Sequence, residues 1–529
     1  MTGEIEKVGV IGLGTMGAGI VEVFARAGLD VVGVDGTPEL AQRGRGFLEA
    51  STGRAVTRGR LSEQDQRQIL DRVTWTDSYD ALAECDLVIE AVPERMDLKS
   101  AIFEALDGVV RPDAVLATNT SSLSLTAIAA PTAHPERVIG MHFFNPAPVL
   151  KLVEVITTVL SDQGVVARVH SLAQRLGKEP VVVRDRAGFV ANALLITYLA
   201  RAIATYETGH VSREDLDAAG RIGVGFPMGP LTLSDLIGLD VVKEVCDVLY
   251  AATHDPSAAP PALLTQLVAA GRLGRKTGSG FYSYERPGSG VVTDLPEPLD
   301  AQPAQSVVVI GDSARASELA DRIGAGGASS VEWVSTSGAR DSLAGLEVVM
   351  LAGDSSAEWI RDLVATMQPG AVLAIASRGS AGTVPVVPDG VTMVAVRTHP
   401  ATRGGELAEI LSSRRDASVV TLRATLTATG FTVVSGRLRA GGVVDALLYP
   451  HLNDAVRMLD SGYATAGDID TAMIAGCGYP EGLLAMVDRL GAAQVAAVLT
   501  AMRDESGEAA LTPSVLLREH AASGAPLLG

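Results

Sequence analysis

The sequence predicts an α/β fold: a doubly wound parallel sheet followed by an all-helical domain, the pair duplicated in tandem. Three observations carry this. Short apolar runs alternate with helical periodicity in the first third of the chain, the pattern turns wholly helical from Gly188, and a set of residues recurs at a constant offset of 253. At 529 residues the chain also exceeds one core, since domains average ~150 residues.

Along the chain, Val8-Gly9-Val10-Ile11 reads as the first strand, and Gly12 to Gly17 as a tight turn opening a helix through Ile20, Val21, Phe24 and Ala25. Val31-Val32-Gly33-Val34 is the second strand, with 86–91 and 114–117 as later ones. Unbroken apolar runs of this length mark strands buried on both faces. Residues 189–206 read as one long apolar helix, and Ser212 with Asp215 caps the next. Pro, Gly and acidic residues crowd 285–306, which reads as a linker before a second strand and glycine turn at Val307. The repeat pairs Gly188 with Gly441, Asp217 with Asp470, Gly225 with Gly478, Pro227 with Pro480 and Asp235 with Asp488, and the cap recurs as Thr465 with Asp468. The expected division is 1–184 and 307–437 for the sheet domains, 185–284 and 438–529 for the helical ones.

The turn Gly12-Leu13-Gly14-Thr15-Met16-Gly17 has GxGxxG spacing between a strand and a helix, and Asp35 ends the second strand 18 residues beyond Gly17. That is the fingerprint of a Rossmann-like domain. The glycines let backbone amides approach a pyrophosphate at the positive helix end, and the carboxylate accepts from the adenosine ribose. An acid there repels a 2′-phosphate, so NAD rather than NADP is the expected cofactor. Downstream, Met141-His142-Phe143-Phe144-Asn145-Pro146 places a histidine and an asparagine at a Pro-bounded loop between two strands. A histidine can take a hydroxyl proton near neutral pH. Glu154 lies inside the apolar run Leu152-Val153-Glu154-Val155-Ile156, where an acid is costly unless paired. His142 is the expected partner.

These segments resemble the L-3-hydroxyacyl-CoA dehydrogenases over roughly residues 5 to 284, together with Glu90-Ala91-Val92-Pro93-Glu94, Asn119-Thr120-Ser121-Ser122, Gly225-Phe226-Pro227-Met228-Gly229-Pro230 and the tail from Gly274 to Tyr282. The resemblance implies NAD-dependent oxidation of a 3-hydroxyacyl-CoA to the 3-ketoacyl-CoA, in a cleft between the sheet and helical domains. It implies catalytic roles for His142 as base, Glu154 as its orienting acid, Ser121 on the reacting oxygen and Asn192 reaching in from the helical domain. Cofactor contacts are implied at Gly12, Leu13, Gly14, Thr15, Met16, Gly17, Asp35, Glu94, Lys99, Ser121, Asn145 and Lys276, and substrate contacts at Ser51, Arg58, Ser121 and Asn145. On the residues alone, Glu94 with Lys99 also reads as a helix-surface pair, Ser121 as a turn or cap residue, and Asn192 as a packing group. Arg43, Arg45, Arg54, Arg58 and Arg60 share a stretch whose one acid is Glu49, a local patch suited to a phosphorylated substrate or simply a solvated helix face. Arg58 stands where the family usually has lysine, and Ala187 where it usually has proline.

The second copy has lost the chemistry. Asp35 faces Ser335, Glu94 faces Ser355, Asn119 faces Ala376 and Ser121 faces Arg378; no histidine sits at the base position, and His399 aligns with Asn145. Glu409 stands opposite Glu154, without the partner that made that acid useful. Gly12 to Gly188 spans 176 residues against 130 for Gly311 to Gly441, and the missing length falls mainly at the Arg-rich hairpin. The expectation is one active site, with the second copy a pseudo-subunit that pairs through the helical domains within the chain. Further homo-oligomerisation stays open.

A net charge of −19, from 43 basic and 62 acidic residues, argues against nucleic acid or an anionic membrane as partner. Cys85, Cys246 and Cys477 are scattered, so neither a disulfide framework nor a metal site is expected. The N-terminus lacks a signal-peptide pattern, and the apolar stretch ending at Arg201 is short for a membrane span. A cytoplasmic protein is expected. Two other functions stay open: a dehydrogenase of a free hydroxy acid, for which the arginine cluster would be unnecessary, and a non-catalytic NAD-binding structural protein. The set His142, Glu154, Ser121 and Asn145 speaks against the latter. Acyl length, and whether the acyl group is carboxylated, are left undetermined.

Overall fold

The structure, a computed structural model, describes residues 4–296, 300–336, 343, 345–353, 356–376, 390–399, 405–414 and 416–529. Among these the first sheet has eight strands: β1 (Lys7–Ile11), β2 (Asp30–Val34), β3 (Val73–Thr76), β4 (Leu87–Glu90), β5 (Val115–Thr118), β6 (Val138–Phe143), β7 (Leu152–Thr157) and β8 (Glu179–Arg184). Their spatial order is β3-β2-β1-β4-β5-β6-β7-β8, and every pairing is parallel except β6 with β7. Strand order reverses between β1 and β4, which opens a crevice at the carboxyl ends of the strands.

The connecting helices are α1 (Thr15–Arg26), α2 (Pro38–Thr57), α3 (Glu63–Asp71), α4 (Met96–Asp107), α5 (Leu125–Ala129) and α6 (Gln163–Arg175). Successive strand residues point to opposite faces. Val8, Val10, Leu87 and Ile89 therefore join the core under α1 and α6, while Ile11, Val88 and Leu116 join the one under α4 and α5. Apolar runs without alternation are what two covered faces require.

The first helical region holds α7 (Ala191–Glu207), α8 (Arg213–Ala218), α9 (Pro230–Ile237), α10 (Leu239–Thr253) and α11 (Ala262–Ala269). The long helix starts at Ala191 rather than at Phe189, because Gly188 and Phe189 take positive φ values of 71° and 47°. Asp235 explains its own recurrence: it accepts from the Phe281 and Tyr282 amides at 2.9 and 3.0 Å and so fastens the tail.

The second sheet orders β10 (Ser330–Val334), β9 (Ser306–Ile310), β11 (Val348–Ala352), β12 (Val372–Ala376), β13 (Thr392–His399), β14 (Glu406–Ser412) and β15 (Phe431–Arg437), with β13–β14 as its antiparallel pair. Its helices are α12 (Ala314–Ala325), α13 (Ala357–Val364) and α14 (Ala417–Ala428). Among the described residues it has no counterpart of β3, α2 or α3. The second helical region follows with α15 (Val444–Asp460), α16 (Ala466–Cys477), α17 (Leu483–Leu490), α18 (Ala492–Ser506) and α19 (Val515–Ser523). Asp488, the counterpart of Asp235, again captures a tail through the Leu527 and Leu528 amides at 2.7 and 3.1 Å.

The two halves meet at equivalent positions. Tyr198 and His451 lie with ring centroids 5.0 Å apart, Phe226 stacks on Tyr479 at 3.9 Å, and Arg201 Nη1 donates to Asp454 Oδ2 at 3.0 Å; each pair is separated by the repeat offset of 253. Like positions facing each other are the signature of a two-fold axis. Each helical region also covers the other half's sheet: α16 packs on β7 and β8, and α8 with the turn 219–224 on β14 and β15. Asp215 of α8 accepts from the two terminal Arg423 nitrogens, Nη1 and Nη2, at 2.7 and 2.8 Å. No single helix among the described residues is long and apolar enough to cross a membrane.

Candidate active site

At the end of β1 the chain turns through Gly12, whose φ of +84° suits glycine. A Cβ on Gly17 would fall 1.7 Å from the Gly12 carbonyl oxygen, whereas a Cβ on Gly14 would meet nothing within 4 Å. The turn is thus packed on its inner side and open at Gly14, where the first α1 amides can receive a pyrophosphate. Asp35 Oδ2 accepts from Leu13 N–H at 2.8 Å and Oδ1 from Gly36 N–H at 2.7 Å. A carboxylate has about four acceptor positions, so capacity remains for ribose hydroxyls. Thr15 is exposed and Met16 half-buried at the same turn. The residues present fit NAD.

His142 and Glu154 are direct cross-strand neighbours in the β6–β7 register. His142 Nδ1 lies 2.8 Å from Glu154 Oε2. Glu154 is 0% exposed and His142 5%. A carboxylate so buried needs full satisfaction, and Oε1 obtains it from the Val190 and Ala191 amides at 3.0 and 2.9 Å. These amides belong to the start of α7, the positive end of its dipole. An ionised carboxylate only accepts hydrogen bonds, so Nδ1 carries the ring proton and Nε2 is left to take one. Phe144 and Phe189 flank the imidazole with centroids at 4.5 and 5.6 Å. Asn192 follows Ala191 on α7, half-buried, and Asn145 is exposed on the loop after β6. Lys178 ties down that loop, donating from Nζ to the Ala147 and Leu150 carbonyls at 2.6 and 2.7 Å. Burial, with the Arg26 charge behind it, pulls the Lys178 ammonium down to about 8.

Lys99 has a different task from the cofactor contact expected of it. It is 1% exposed, and Nζ donates to Glu90 Oε1 at 2.7 Å and Oε2 at 3.0 Å, with Glu94 Oε2 at 3.2 Å. An ammonium has three donors, and these are spent inside the protein. Nor is the pair a helix-surface one. Glu94 Oε1 accepts from Thr120 Oγ1 at 2.6 Å, from the Ser121 and Ser122 amides at 2.7 and 3.0 Å, and from Ser121 Oγ at 3.2 Å. Burial raises the Glu94 carboxyl, but Lys99 and Thr120 outweigh it and hold it below its ordinary range. Glu94 therefore shapes the loop that carries Ser121. Lys276 stands on the first helical region, its half-exposed side chain donating from Nζ to Asp240 Oδ2 at 2.6 Å beside Gly238.

Three residues with structural control over the site carry no role in the sequence reading. Glu90 is fully buried at the centre of the Lys99 cluster, and the argument applied to Glu154, an acid in an apolar strand, would have found it. Asn119 Oδ1 accepts the Phe143 amide at 2.7 Å, joining its loop to the strand beside His142. Lys178, above, has no local signal at all.

On the α2–α3 hairpin Ser51 is half-buried and Arg58, the residue after α2, is exposed, as are Arg43, Arg54 and Arg60. Gln66 Nε2 joins α3 to α2 through Thr52 Oγ1 at 3.1 Å. Arg45 is paired with Glu49 at 2.8 Å, which removes one member from the free basic patch.

In the second copy the register sets Arg397 opposite Glu409. Arg397 therefore holds the place of His142, and His399 that of Phe144 rather than Asn145. Glu409 is also not partnerless, contrary to expectation. His399 Nε2 lies 2.8 Å from Oε2 and Arg397 Nη1 3.3 Å, while the Val443 and Val444 amides bind Oε1, both at 2.8 Å. His399 reaches it because residues i and i+2 share a strand face. Arg397 also binds Asp445, the counterpart of Asn192. A guanidinium does not deprotonate, so it cannot serve as base. At the glycine turn Asp312 adds a carboxylate, its Oδ1 accepting from Thr336 N–H at 3.0 Å. Ser355 and Arg378 lie outside the described residues. No group of His, Cys, Asp and Glu suited to a metal occurs among the described residues.

A family model described as the NAD binding domain of 3-hydroxyacyl-CoA dehydrogenase matches residues 7–186, and one described as the C-terminal domain of that enzyme matches 188–284 and again 441–526. A 3-hydroxybutyryl-CoA dehydrogenase of Mycobacterium tuberculosis is 46% identical over 54% of this chain and 100% of its own length. A 3-hydroxyadipyl-CoA dehydrogenase of Escherichia coli K12 is 33% identical over 98% of both chains. The crystal structure of a 3-hydroxybutyryl-CoA dehydrogenase from Escherichia coli K12 superposes with a TM-score of 0.77 at 32% identity, covering 98% of this chain and 99% of that one.

Proposed function

The chain belongs to the 3-hydroxyacyl-CoA dehydrogenase family, and we propose that it oxidises an L-3-hydroxyacyl-CoA to the 3-ketoacyl-CoA at the carboxyl ends of the first sheet's strands. The observation that carries this is the His142–Glu154 pair at 2.8 Å, anchored by two α7 amides. When bound, NAD supplies the hydride acceptor for C3. His142 Nε2 takes the hydroxyl proton, and Glu154 stabilises the imidazolium while keeping the ring oriented. With substrate bound, Ser121 turns its one hydroxyl proton from Glu94 to the reacting oxygen, Asn192 and Asn145 orient the substrate from the two sides, and Ser51 with Arg58 holds the CoA on the α2–α3 hairpin. The exposed arginines there favour a CoA thioester over a free hydroxy acid.

The second copy acts as a pseudo-subunit, its boundaries placed at 307–437 and 438–529. Support comes from the like-position contacts between α7 and α15, and from Arg397 in the place of the base. A self-pairing chain would set Arg201 against Arg201; fusion lets Asp454 answer it.

The relatives act on a four-carbon and on a carboxylated acyl group by name. Following NADH formation across a chain-length series of 3-hydroxyacyl-CoAs, one of them dicarboxylic, tests the reading. Turnover of the thioesters and not of the free 3-hydroxy acids is expected. Turnover of the free acids alone, or of nothing in the series, would contradict it.

A further inference from the structure

Glu154 is faced not only by its own half of the molecule. Helix α16 of the second half packs across β7 and β8, so closely that a Cβ on Gly476 would fall 2.5 Å from Leu152 Cδ2, on the strand that carries Glu154. Tyr463, just before the Thr465 cap of α16, is 2% exposed and shares one apolar cluster with Leu152, Phe189 and Val190. Arg186 lies over its ring at 5.0 Å and donates to Ser461 Oγ at 3.2 Å, which locks this segment against the loop after β8. The Glu154 charge is felt there. Burial, and then that charge, raises the Tyr463 phenol, and the same two causes push the Cys477 thiol at the end of α16 up to about 12.

The arrangement is repeated about the pseudo-axis. His210, at Tyr463's position in the first copy, reaches the corresponding place near Glu409: its Nε2 lies 3.2 Å from the carbonyl of Gly442, the residue before the Val443 amide that binds Glu409. Each buried glutamate thus has a ring from the opposite copy within reach of its charge. Only Glu154 orients a base.

We infer that Tyr463 is a positioning residue for the dehydrogenase reaction: its ring completes the dry wall around Glu154, so the degenerate copy is part of the active site. The inference rests on the function proposed above. Glu154 is held by His142 from β6 and by the Val190 and Ala191 amides from α7; its charge, with that of Asp185, reaches Tyr463 of the second half, whose ring Arg186 covers, and it reaches Cys477 at the end of α16. Water admitted beside it would compete with the imidazole for Oε2, since hydrogen bonds weaken as local dielectric rises. His142 would then lose the orientation that aims Nε2 at the hydroxyl.

The test uses the full chain with four forms: wild type, Tyr463→Ala, Tyr463→Phe and, behind the idle glutamate, His210→Ala. For Tyr463→Ala, kcat per NADH-binding site falls at least about tenfold while both KM values stay within about twofold, because small misplacements of a reacting group act on the chemical step. Tyr463→Phe restores turnover, the ring and not the hydroxyl forming the wall. His210→Ala lowers thermal stability comparably yet keeps kcat. A readout independent of turnover is the downfield NMR signal of the His142 Nδ1 proton, assigned by its loss in His142→Gln; it broadens by water exchange in Tyr463→Ala and not in His210→Ala. Should Tyr463→Ala fail to fold, Tyr463→Val is the milder truncation. A wild-type kcat with an unchanged proton signal overturns the inference, as does an equal loss of kcat in His210→Ala. Absence of turnover in the wild type would instead overturn the dehydrogenase reading and leave the proton signal to decide this one.

Discussion

Replacing His142 with glutamine lowers kcat about 10²–10⁴-fold, the usual contribution of a positioned general base, while the dissociation constant for NADH stays within about twofold. Glutamine keeps a donor for Glu154 Oε2, so the buried carboxylate is not stranded, but it offers no nitrogen that can take a proton. The dinucleotide site is assembled elsewhere, from the β1–α1 turn and Asp35, where Leu13 N–H meets the carboxylate at 2.8 Å. Steady-state NADH formation at saturating substrates and a fluorescence titration with NADH separate the two effects. Retained turnover would remove His142 from the role of base.

Arg201→Asp destabilises the whole chain by about 3 kcal/mol or more, the scale of breaking a shielded ion pair, since Arg457, 3.8 Å from Asp454 on the same helix, answers that charge only weakly. Arg201 and Asp454 are 15% and 14% exposed and meet at 3.0 Å on the pseudo-axis. The substitution sets two carboxylates against each other there. Neighbouring His451 compensates little, because burial, the larger of the two causes that hold its imidazole down at about 3, persists when the Arg201 charge is removed. Adding Asp454→Arg in the same chain reverses the polarity of the pair and recovers most of the stability. Denaturant midpoints for the single and double variants check this; a double variant no better than Arg201→Asp would show that the positions do not act as a pair.

The parts of the molecule legible in the sequence are those set by local spacing. Gly12 to Gly17 and Asp35 declare the dinucleotide turn, because a strand, a glycine-rich turn and an acid at the next strand end have few other uses together. The His142–Glu154 pair was inferable from the energetic penalty on an acid in an apolar strand. What spacing could not carry were contacts made by the fold. Lys99 looks like a surface lysine in sequence, yet three carboxylate oxygens, from Glu90 and Glu94, converge on its ammonium. The start of α7 lies later than the apolar run suggests because Phe189 takes a positive φ that its own preference opposes. Register misled at His399: an alignment that matched it to Asn145 is one position off the strand pairing, and one position changes the face on which a side chain lies. That shift is what hid the partners of Glu409. The repeat was visible as an offset, but that equivalent residues touch one another, as Tyr198 and His451 do, follows only from the axis.

A chain built twice that keeps one working site holds one dinucleotide. Equilibrium titration of the purified full chain with NADH measures this directly: one NADH per 529 residues is expected, with binding lost when Asp35 is replaced by arginine. Two equivalents per chain, or one that survives the Asp35 change, would contradict it.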